Sequence, residues 1–209
     1  MCKVSVIMPV YLGYYQGCAS DRGDKFIRAI NSFLNNDYKD KELIIISDNC
    51  ELASAILKKE FSNELESKLI KYHKLNKKQK LFSGKLRTIG IQISSGDYIM
   101  YLDSDDMYGE KHISTVINQI KSNKTDWVYF NDYIMSESGL ITKNVELEHG
   151  SIGTSSICHI NNKKLNWRWC NGYGHDWKFI KKLIRFSENH EKIHGGTYII
   201  CHIPNHVDV

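Results

Sequence analysis

Residues 98–106 read Tyr98-Ile99-Met100-Tyr101-Leu102-Asp103-Ser104-Asp105-Asp106. A short, mostly apolar run followed by a polar turn is typical of a strand buried in a sheet. The three carboxylates after it repel one another, and burying them is costly unless a cation lies nearby. Hard oxygen ligands on a short turn suit Mg²⁺ or Mn²⁺. These ions typically bind one or two carboxylates of the protein and take further ligands from phosphate groups. The alternative is a loop in which the aspartates cap the following helix.

The segments around this stretch alternate between strand-like and helix-like patterns. Strands are predicted at Val4–Met8, Leu43–Ile46, Leu69–His73, Tyr98–Leu102, Trp127–Asn131 and Tyr198–Ile203. Helical spacing of apolar residues predicts helices at Lys25–Leu34, Glu51–Phe61, Lys85–Ser94, Glu110–Ile120 and Asp176–Phe186. Four strand–helix units in a row favour an α/β fold with a mostly parallel sheet flanked by helices. Ligands bind beyond the carboxyl ends of such strands, which singles out Pro9, Tyr11, Asp48 and Asp103–Asp106.

Composition places the chain among ordinary globular proteins. Its 209 residues fit a single domain, and 42% of them are hydrophobic and 25% charged. The six cysteines include no CxxC pair, and no leader-like segment precedes the first strand, so we expect reduced thiols and a cytoplasmic location. No apolar run reaches the roughly 18 residues needed to span a bilayer, which leaves peripheral association with the cytoplasmic face of a membrane open.

The net charge of +4 is mild, and the densest basic segment is Lys71–Lys85. Such a run usually faces water, and the alternative is a positive rim that attracts a phosphate-bearing substrate or an anionic lipid surface. The basic residues are not interleaved with aromatic ones in a recognisable pattern, so we expect no nucleic acid partner. A dehydrogenase is excluded because no GxGxxG motif follows a predicted strand.

Four motifs follow one another along residues 4–186. They read Val4-Ser5-Val6-Ile7-Met8-Pro9-Val10-Tyr11, then Leu43-Ile44-Ile45-Ile46-Ser47-Asp48, then Ser83 to Ile91 with Ser95 to Asp106, and finally Gly174-His175-Asp176-Trp177. Together they resemble the family 2 glycosyltransferases of the GT-A fold. The resemblance implies a single domain over residues 1–209, in which residues 1–106 bind a nucleotide sugar and residues 107–209 hold the acceptor and the catalytic base. It also implies metal-dependent transfer with inversion, and UDP is the expected nucleotide because it is frequent in the family.

The resemblance implies roles in donor binding. Asp48 would bind the edge of the nucleobase, in a pocket shaped by Pro9 and Tyr11. Either Lys85 or Arg87 would lie near the base or the diphosphate. Two residues of the acidic turn would complete the nucleotide-sugar site: Asp103, which would reach the ribose or the metal's water shell, and its neighbour Ser104.

The resemblance also implies the metal site and the base. Asp105 would be the direct ligand of Mn²⁺ or Mg²⁺, and His202 would complete the site, with His194 and His206 as competing histidines. Asp176 would take the proton from the acceptor, a hydroxyl of a glycan, a lipid-linked sugar or another molecule. The alternative for Asp176 is a carboxylate that caps the helix behind it.

Several positions depart from the family pattern or stay open. Ser47, Cys50 and Thr88 replace residues that are common in the family, which puts the details of base recognition in doubt. The loop Gly13–Asp24 is longer than usual and would form a lid or a contact to the donor sugar. The aromatic residues near the last motif would either pack in the core or stack on an acceptor sugar: Trp167, Trp169, Tyr173 and Trp177.

Two other functions remain as alternatives at this stage. A nucleotidyltransferase acting on sugar phosphates also binds nucleotide and Mg²⁺. It would require a glycine-rich, arginine-containing loop after the first strand, where this chain has Pro9-Val10-Tyr11. A non-catalytic, carbohydrate-binding relative would not need both Asp105 and Asp176. The sequence does not define the sugar, the acceptor or the oligomeric state.

Overall fold

The computed structural model describes residues 2–16, 18–79, 83–165 and 174–201. Its strands are β1 Val4–Val10, β2 Lys41–Ser47, β3 Ile70–Lys74, β4 Tyr98–Tyr101, β5 Met107–Tyr108, β6 Trp127–Ser136, β7 Gly139–Lys143, β8 Ile157–Ile160 and β9 His190–Ile200. Its helices are α1 Arg22–Leu34, α2 Glu51–Glu60, α3 Ser62–Glu66, α4 Gly84–Ile93, α5 His112–Asn123 and α6 His175–Phe186. Within these ranges, each helix is too short or too polar to cross a membrane.

The described strands form one sheet in the order β3-β2-β1-β4-β8-β6-β9-β5, and β7 pairs with β6 outside this path. The first four strands of this order run parallel to one another. Strand β8 is antiparallel to both β4 and β6, whereas β9 runs parallel to β6. The predicted α/β class, a sheet flanked by helices, is confirmed. The reversal at β8 joins the strands of the second half of the chain to those of the first.

Successive side chains of β1 and β2 point alternately into hydrophobic cores on the two faces of the sheet. Val6 and Met8 face a core that also contains Phe26 of α1 and Leu57 of α2. The intervening Ile7 faces a second core, together with residues of β4 and α6. Side chains point alternately to the two faces of a strand, so a continuous apolar run is what a doubly covered strand requires.

Helix α4 lies unusually close to β1. A Cβ atom added at Gly90 would stand 2.5 Å from Cγ2 of Ile7, a distance that side chains cannot tolerate. The missing side chain therefore lets the helix approach the strand. This approach fixes Arg87, one turn earlier on α4, beside the carboxyl ends of β1 and β4.

The predicted elements agree with the structure to within a few residues in the first half, and less well after residue 106. Helix α3 was not predicted, because it has five residues and none of them is buried. Strands β5, β7 and β8 were not predicted, because β5 has two residues, β7 is exposed and β8 is a short run in a polar stretch. The last strand, predicted at Tyr198–Ile203, begins at His190, since polar residues and two glycines hide its start. Residues 202 and 203 lie outside the described ranges.

Candidate active site

A pocket of about 630 Å³ opens at the carboxyl ends of β1, β2 and β4. Seven of the predicted site residues line it: Pro9, Tyr11, Asp48, Arg87, Asp103, Ser104 and Asp105. Parallel strands end at the same edge of the sheet, which is why motifs far apart in sequence meet here. Lys85 does not line the pocket; it is exposed, and its Nζ donates to Oε1 of Gln79 at 2.8 Å.

Asp48 lies directly beyond β2 and is buried in the pocket wall. Its backbone N–H donates to the carbonyl of Val10 at 2.9 Å, which ties the end of β2 to the end of β1. Its Oδ1 accepts a hydrogen bond from the backbone N–H of Gln79 at 2.6 Å. The chain turns away at Asn49, whose φ of 54° is a left-handed conformation that asparagine tolerates. These contacts orient the carboxylate at the pocket.

Arg87 is buried, and its Nη2 lies 2.6 Å from Oδ1 of Asp103 in a charge-assisted hydrogen bond. Burial lowers the pKa of Arg87, but the carboxylates of Asp103 and Asp176 outweigh this effect and raise the pKa. Arg87 therefore stays charged and brings a fixed positive charge to the pocket.

Asp106 belongs to the acidic turn but points into the protein. Its Oδ2 accepts from the hydroxyl of Tyr198 at 2.8 Å, and its Oδ1 accepts from the backbone N–H of Cys201 at 2.8 Å. Burial and the neighbouring Asp105 and Asp103 raise the pKa of Asp106 well above its usual value. The Tyr198 hydroxyl also accepts from the N–H of Asp103 at 3.1 Å. The end of β9 thus holds the acidic turn in place.

The capping role considered for these aspartates is wrong. The N-cap of α5 is Lys111, and no described side chain caps that helix end. The turn instead serves the pocket through Asp103 and Asp105, while Asp106 anchors it.

Asp105 is the candidate metal ligand. It lines the pocket, and its backbone carbonyl accepts from Nη2 of Arg28 at 2.9 Å. Within the described ranges, no group of three histidine, cysteine or carboxylate side chains could hold a metal by itself. The carboxylates of the acidic turn do fit a hard cation, which takes one or two ligands from the protein and its other ligands from a diphosphate. His202, the other predicted ligand, lies outside the described residues.

Asp176 lines a second, smaller pocket of about 270 Å³. Its wall is formed by Lys143, His149, Gly150, Ser151, Ile152, Gly153, Gly174, His175, Asp176 and Trp177. Helix α6 begins at His175, and its N-cap is Gly174 with a φ of 74°. The proposed capping role of Asp176 is therefore wrong, although a carboxylate in the first turn still interacts favourably with the helix dipole. Trp167, Trp169 and Tyr173 lie outside the described residues.

One arginine connects the two pockets. Nη1 of Arg87 lies 3.5 Å from Nε2 of His175. The same Nε2 of His175 lies 3.1 Å from Oδ1 of Asp176. The other terminal nitrogen of the same guanidinium binds Asp103 in the larger pocket. The predicted donor residues and the predicted base therefore share a wall, and His175 within it was not predicted as a site residue.

The long loop after β1 and the first residue of α1 each supply a lining residue that the sequence interpretation did not name. Tyr15 and Arg22 both line the larger pocket. The guanidinium of Arg22 donates to the carbonyl of Gly13 at 2.8 Å and to that of Tyr11, and so holds the loop against α1. Lys78 covers one face of the Tyr11 ring, with its Nζ 3.7 Å from the ring centroid. The signal for Arg22 was its place inside the long segment Gly13–Asp24, which the sequence analysis considered as a contact to the donor sugar.

A parallel sheet with an acidic turn at its carboxyl edge, continued by a mixed second half, is the GT-A fold. The chain belongs to glycosyl transferase family 2, whose family model matches residues 5–198.

Relatives of known sequence agree with this membership. The poly(ribitol-phosphate) beta-N-acetylglucosaminyltransferase TarP of Staphylococcus aureus is 31% identical over 163 residues, which are 75% of this chain and 44% of TarP. The glycosyltransferase GlyA of Streptococcus pneumoniae is 27% identical over 138 residues, or 65% of this chain and 18% of GlyA. The chain thus spans less than half the length of these relatives.

Solved structures share the fold. S. aureus TarS 1-349 in complex with UDP-GlcNAc aligns over 95% of this chain and 58% of its own, with a TM-score of 0.69 and 16% identity. The mannosyltransferase PcManGT of Pyrobaculum calidifontis, in complex with GDP-Man and Mn²⁺, aligns over 95% and 56% with a TM-score of 0.67 and 8% identity. At such identities the likeness concerns the fold.

Proposed function

We propose that the chain is an inverting, metal-dependent glycosyltransferase that moves a sugar from a nucleotide-sugar donor to an acceptor hydroxyl. The observation that carries this proposal is the shared wall of the two pockets. Arg87 contacts the acidic turn on one side and lies beside His175 and Asp176 on the other. A donor held on the first side and an acceptor on the second would meet near this arginine. Family membership favours glycosyl transfer over nucleotidyl transfer.

The donor is proposed to lie in the larger pocket, in the part formed by residues 1–106. Asp48 accepts hydrogen bonds from the edge of the base, and Pro9 and Tyr11 flank the base. Arg87 offers a fixed positive charge for the diphosphate, the kind of preorganised charge that stabilises a leaving group. UDP-GlcNAc is the first donor to test, because TarP is named for N-acetylglucosaminyl transfer and TarS binds UDP-GlcNAc in its complex.

Mn²⁺ or Mg²⁺ is the proposed cofactor. Asp105 would hold it, with His202 as a further ligand, and Asp103 would reach either the ribose of the nucleotide or the water shell of the metal. When bound, such a cation neutralises the charge that develops on the departing diphosphate. The fold neighbour PcManGT was determined with Mn²⁺, which supports this choice of ion.

The chemistry on the acceptor side is assigned to Asp176. Its carboxylate takes the proton of the acceptor hydroxyl while that oxygen forms a bond to the anomeric carbon. The bond from this carbon to the diphosphate breaks on the opposite face, and the nucleoside diphosphate leaves with the electron pair. One displacement of this kind inverts the anomeric configuration without a covalent enzyme intermediate.

The acceptor is proposed to be a glycan, a lipid-linked sugar or another hydroxyl compound, bound by the part formed by residues 107–209. A cytoplasmic location, with peripheral membrane association left open, stays a prediction, as does the absence of a nucleic acid partner.

Metal-assisted donor binding tests the proposal. We expect UDP-GlcNAc to raise the melting temperature of the chain when Mn²⁺ is present, and Asp105→Ala to abolish this increase while the fold survives. Glu137→Gln, at an exposed position in the β6–β7 turn, is the matched control. If Asp105→Ala binds donor and Mn²⁺ as the wild type does, the metal assignment is wrong. Donor binding without any transfer would favour a non-catalytic relative.

A further inference from the structure

His175 and the proposed base, Asp176, are neighbours at the start of α6, and their side chains meet. Nε2 of His175 lies 3.1 Å from Oδ1 of Asp176. Consecutive side chains of a helix do not face each other, so this contact requires both side chains to turn together. We propose that His175 is a positioning residue, whose Nε2–H holds Oδ1 of Asp176 so that Oδ2 faces the acceptor. The inference rests on the proposed role of Asp176 as the base and adds a second residue to that site.

The two carboxylate oxygens of Asp176 have different surroundings. Oδ1 is shielded from solvent, and no described residue donates a hydrogen bond to it. The side chain as a whole is 31% exposed, so its accessible surface lies on the remaining atoms, which include Oδ2. A Cβ atom added at Gly153, which also lines the smaller pocket, would stand 3.8 Å from Oδ2. Oδ2 is therefore the oxygen that an acceptor hydroxyl in this pocket can reach.

The shielded oxygen Oδ1 requires a hydrogen-bond donor. A carboxylate oxygen that is removed from water and has no partner is costly. Nε2 of His175 is within hydrogen-bond distance of Oδ1, although the two groups are not aligned for a bond. Catalytic hydrogen bonds often tighten only when the substrate binds. We expect the bond from Nε2 to Oδ1 to tighten in this way and to fix the carboxylate while Oδ2 takes the proton.

The surroundings of Nε2 favour a proton on this nitrogen. A further neighbour of Nε2 is Nη1 of Arg87, at 3.5 Å, which is long for a hydrogen bond. Nη1 also donates to Oγ of Ser83, so this nitrogen of the guanidinium already has an acceptor. A bare Nε2 would place its lone pair against the negative charge of Asp176, whereas a protonated Nε2 is attracted to it. The proton on Nε2 therefore makes Asp176 the partner of His175.

The position of the His175 ring is itself fixed by packing. The side chain is only 16% exposed, and it lies beside Arg87, which the ion pair with Asp103 holds in place. Before it, Gly174 has a φ of 74°, and a Cβ atom there would stand 3.0 Å from Nε2 of His149. The first turn of α6 is thus packed closely against its neighbours. A histidine held in this way can select one orientation of a carboxylate, and small displacements of a catalytic group slow a reaction strongly.

The protonation pattern of the His175 ring tests the inference without any turnover. Nitrogen NMR shifts of the imidazole rings, measured on the whole chain near neutral pH, show which ring nitrogen carries a proton. The signals of His175 are identified by their loss in His175→Gln. We expect a proton on Nε2 in the wild type, and a different Nε2 shift in Asp176→Ala. A bare Nε2, or an Nε2 shift that Asp176→Ala leaves unchanged, would overturn the inference.

Turnover measures the effect on the reaction, as release of UDP from UDP-GlcNAc with Mn²⁺ and with water as the acceptor. We expect His175→Ala to lower kcat by about 10- to 100-fold, the usual cost of a displaced catalytic group, with little change in the KM for the donor. His175→Gln should recover most of the loss, because its amide nitrogen reaches the place of Nε2, whereas the shorter His175→Asn should not. His73→Ala, at an exposed position of β3, is the control and should leave both constants unchanged. Equal losses in the glutamine and asparagine variants, at unchanged melting temperature, would overturn the inference.

A double variant separates this inference from the proposed function. If His175 acts through Asp176, His175→Ala should have little further effect on kcat in the Asp176→Asn background, because residues that act as a unit are not additive. Fully additive losses would overturn the inference, and so would weaker donor binding at unchanged kcat, which would assign the histidine to Arg87. Turnover that Asp176→Asn leaves unchanged would instead contradict the proposed function. If the wild type releases no UDP, the proposed donor is wrong, and the NMR shifts decide the inference.

Discussion

Arg87 lines the larger pocket and contacts His175, which lines the smaller one. Its guanidinium reaches Asp103 with one nitrogen and lies near His175 with the other, a fork geometry that a lysine ammonium cannot reproduce. The sequence left open whether Lys85 or Arg87 serves the donor. Burial, the ion pair and the pocket wall all favour Arg87, because Lys85 is exposed and bound to Gln79.

We expect Arg87→Lys to weaken the binding of UDP-GlcNAc with Mn²⁺ about tenfold or more, since a buried ion pair loses its geometry while the charge remains. Lys85→Ala is the matched comparison and should change donor affinity less than about twofold, as exposed lysines usually do. Both are measured by titration calorimetry. The reverse order of effects would assign the donor contact to Lys85.

At the scale of elements, β9 is the strand whose extent and contacts the sequence predicted least well. It was predicted as a short strand at Tyr198–Ile203, yet it starts at His190 and its end supports the acidic turn. Periodicity could not reveal that Tyr198 meets Asp106, because the two residues are distant in sequence and pair only through the sheet order. By contrast, β1, β2, β4 and the turn after β4 were predictable, since continuous apolar runs mark strands buried on both faces.

Replacing Tyr198 by phenylalanine tests the support that β9 gives. Tyr198→Phe leaves the Asp103 N–H and an oxygen of Asp106 without their partner, so unfolding free energy should fall by about 1–3 kcal/mol. The affinity for Mn²⁺ with UDP should fall as well, because the turn that carries Asp105 loses its anchor.

Urea unfolding and metal titration measure these two effects. Tyr133→Phe on β6, a partly buried tyrosine, is the control for the loss of a hydroxyl. Unchanged stability and metal affinity in Tyr198→Phe would show that the turn does not depend on β9.

At the scale of the whole molecule, the carboxyl and amino ends of the parallel strands have different roles. The carboxyl edge holds the candidate site, whereas the opposite edge is stabilised by Glu42 at the start of β2. Glu42 is buried, forms ion pairs with Lys71 at 2.7 Å and Lys3 at 3.0 Å, and accepts from the hydroxyl of Ser5 at 2.6 Å and the backbone N–H of Ser95 at 2.7 Å. Hydrophobic pattern alone could not predict a buried carboxylate at this position.

This network makes stability depend on pH. Burial tends to raise the pKa of Glu42, but hydrogen bonds from Lys71, Ser5 and Ser95 outweigh it and lower the pKa from 4.5 to about 2. A lowered pKa stabilises the fold above the unfolded value, so the contribution of about 3 kcal/mol is present at neutral pH and is lost as pH falls from about 4.5 to about 2.

Urea denaturation of Glu42→Gln and wild type between about pH 7 and about pH 2 measures the contribution. The two free energies of unfolding should differ most near pH 7 and converge toward pH 2. Glu66→Gln, at an exposed position of α3, should follow the wild type throughout. A difference that stays constant with pH would show that Glu42 acts through packing and not through its charge.

The central claim, that a donor pocket and a base at Asp176 act together, is tested most directly by turnover of Asp176→Asn. The amide keeps the size of the side chain but cannot take a proton, and Asp176 does not cap α6, so the helix should form as before. With a donor and acceptor that the wild type uses, we expect transfer to fall by roughly 10²–10⁴-fold while donor affinity and melting temperature stay the same. Transfer at the wild-type rate would contradict the account.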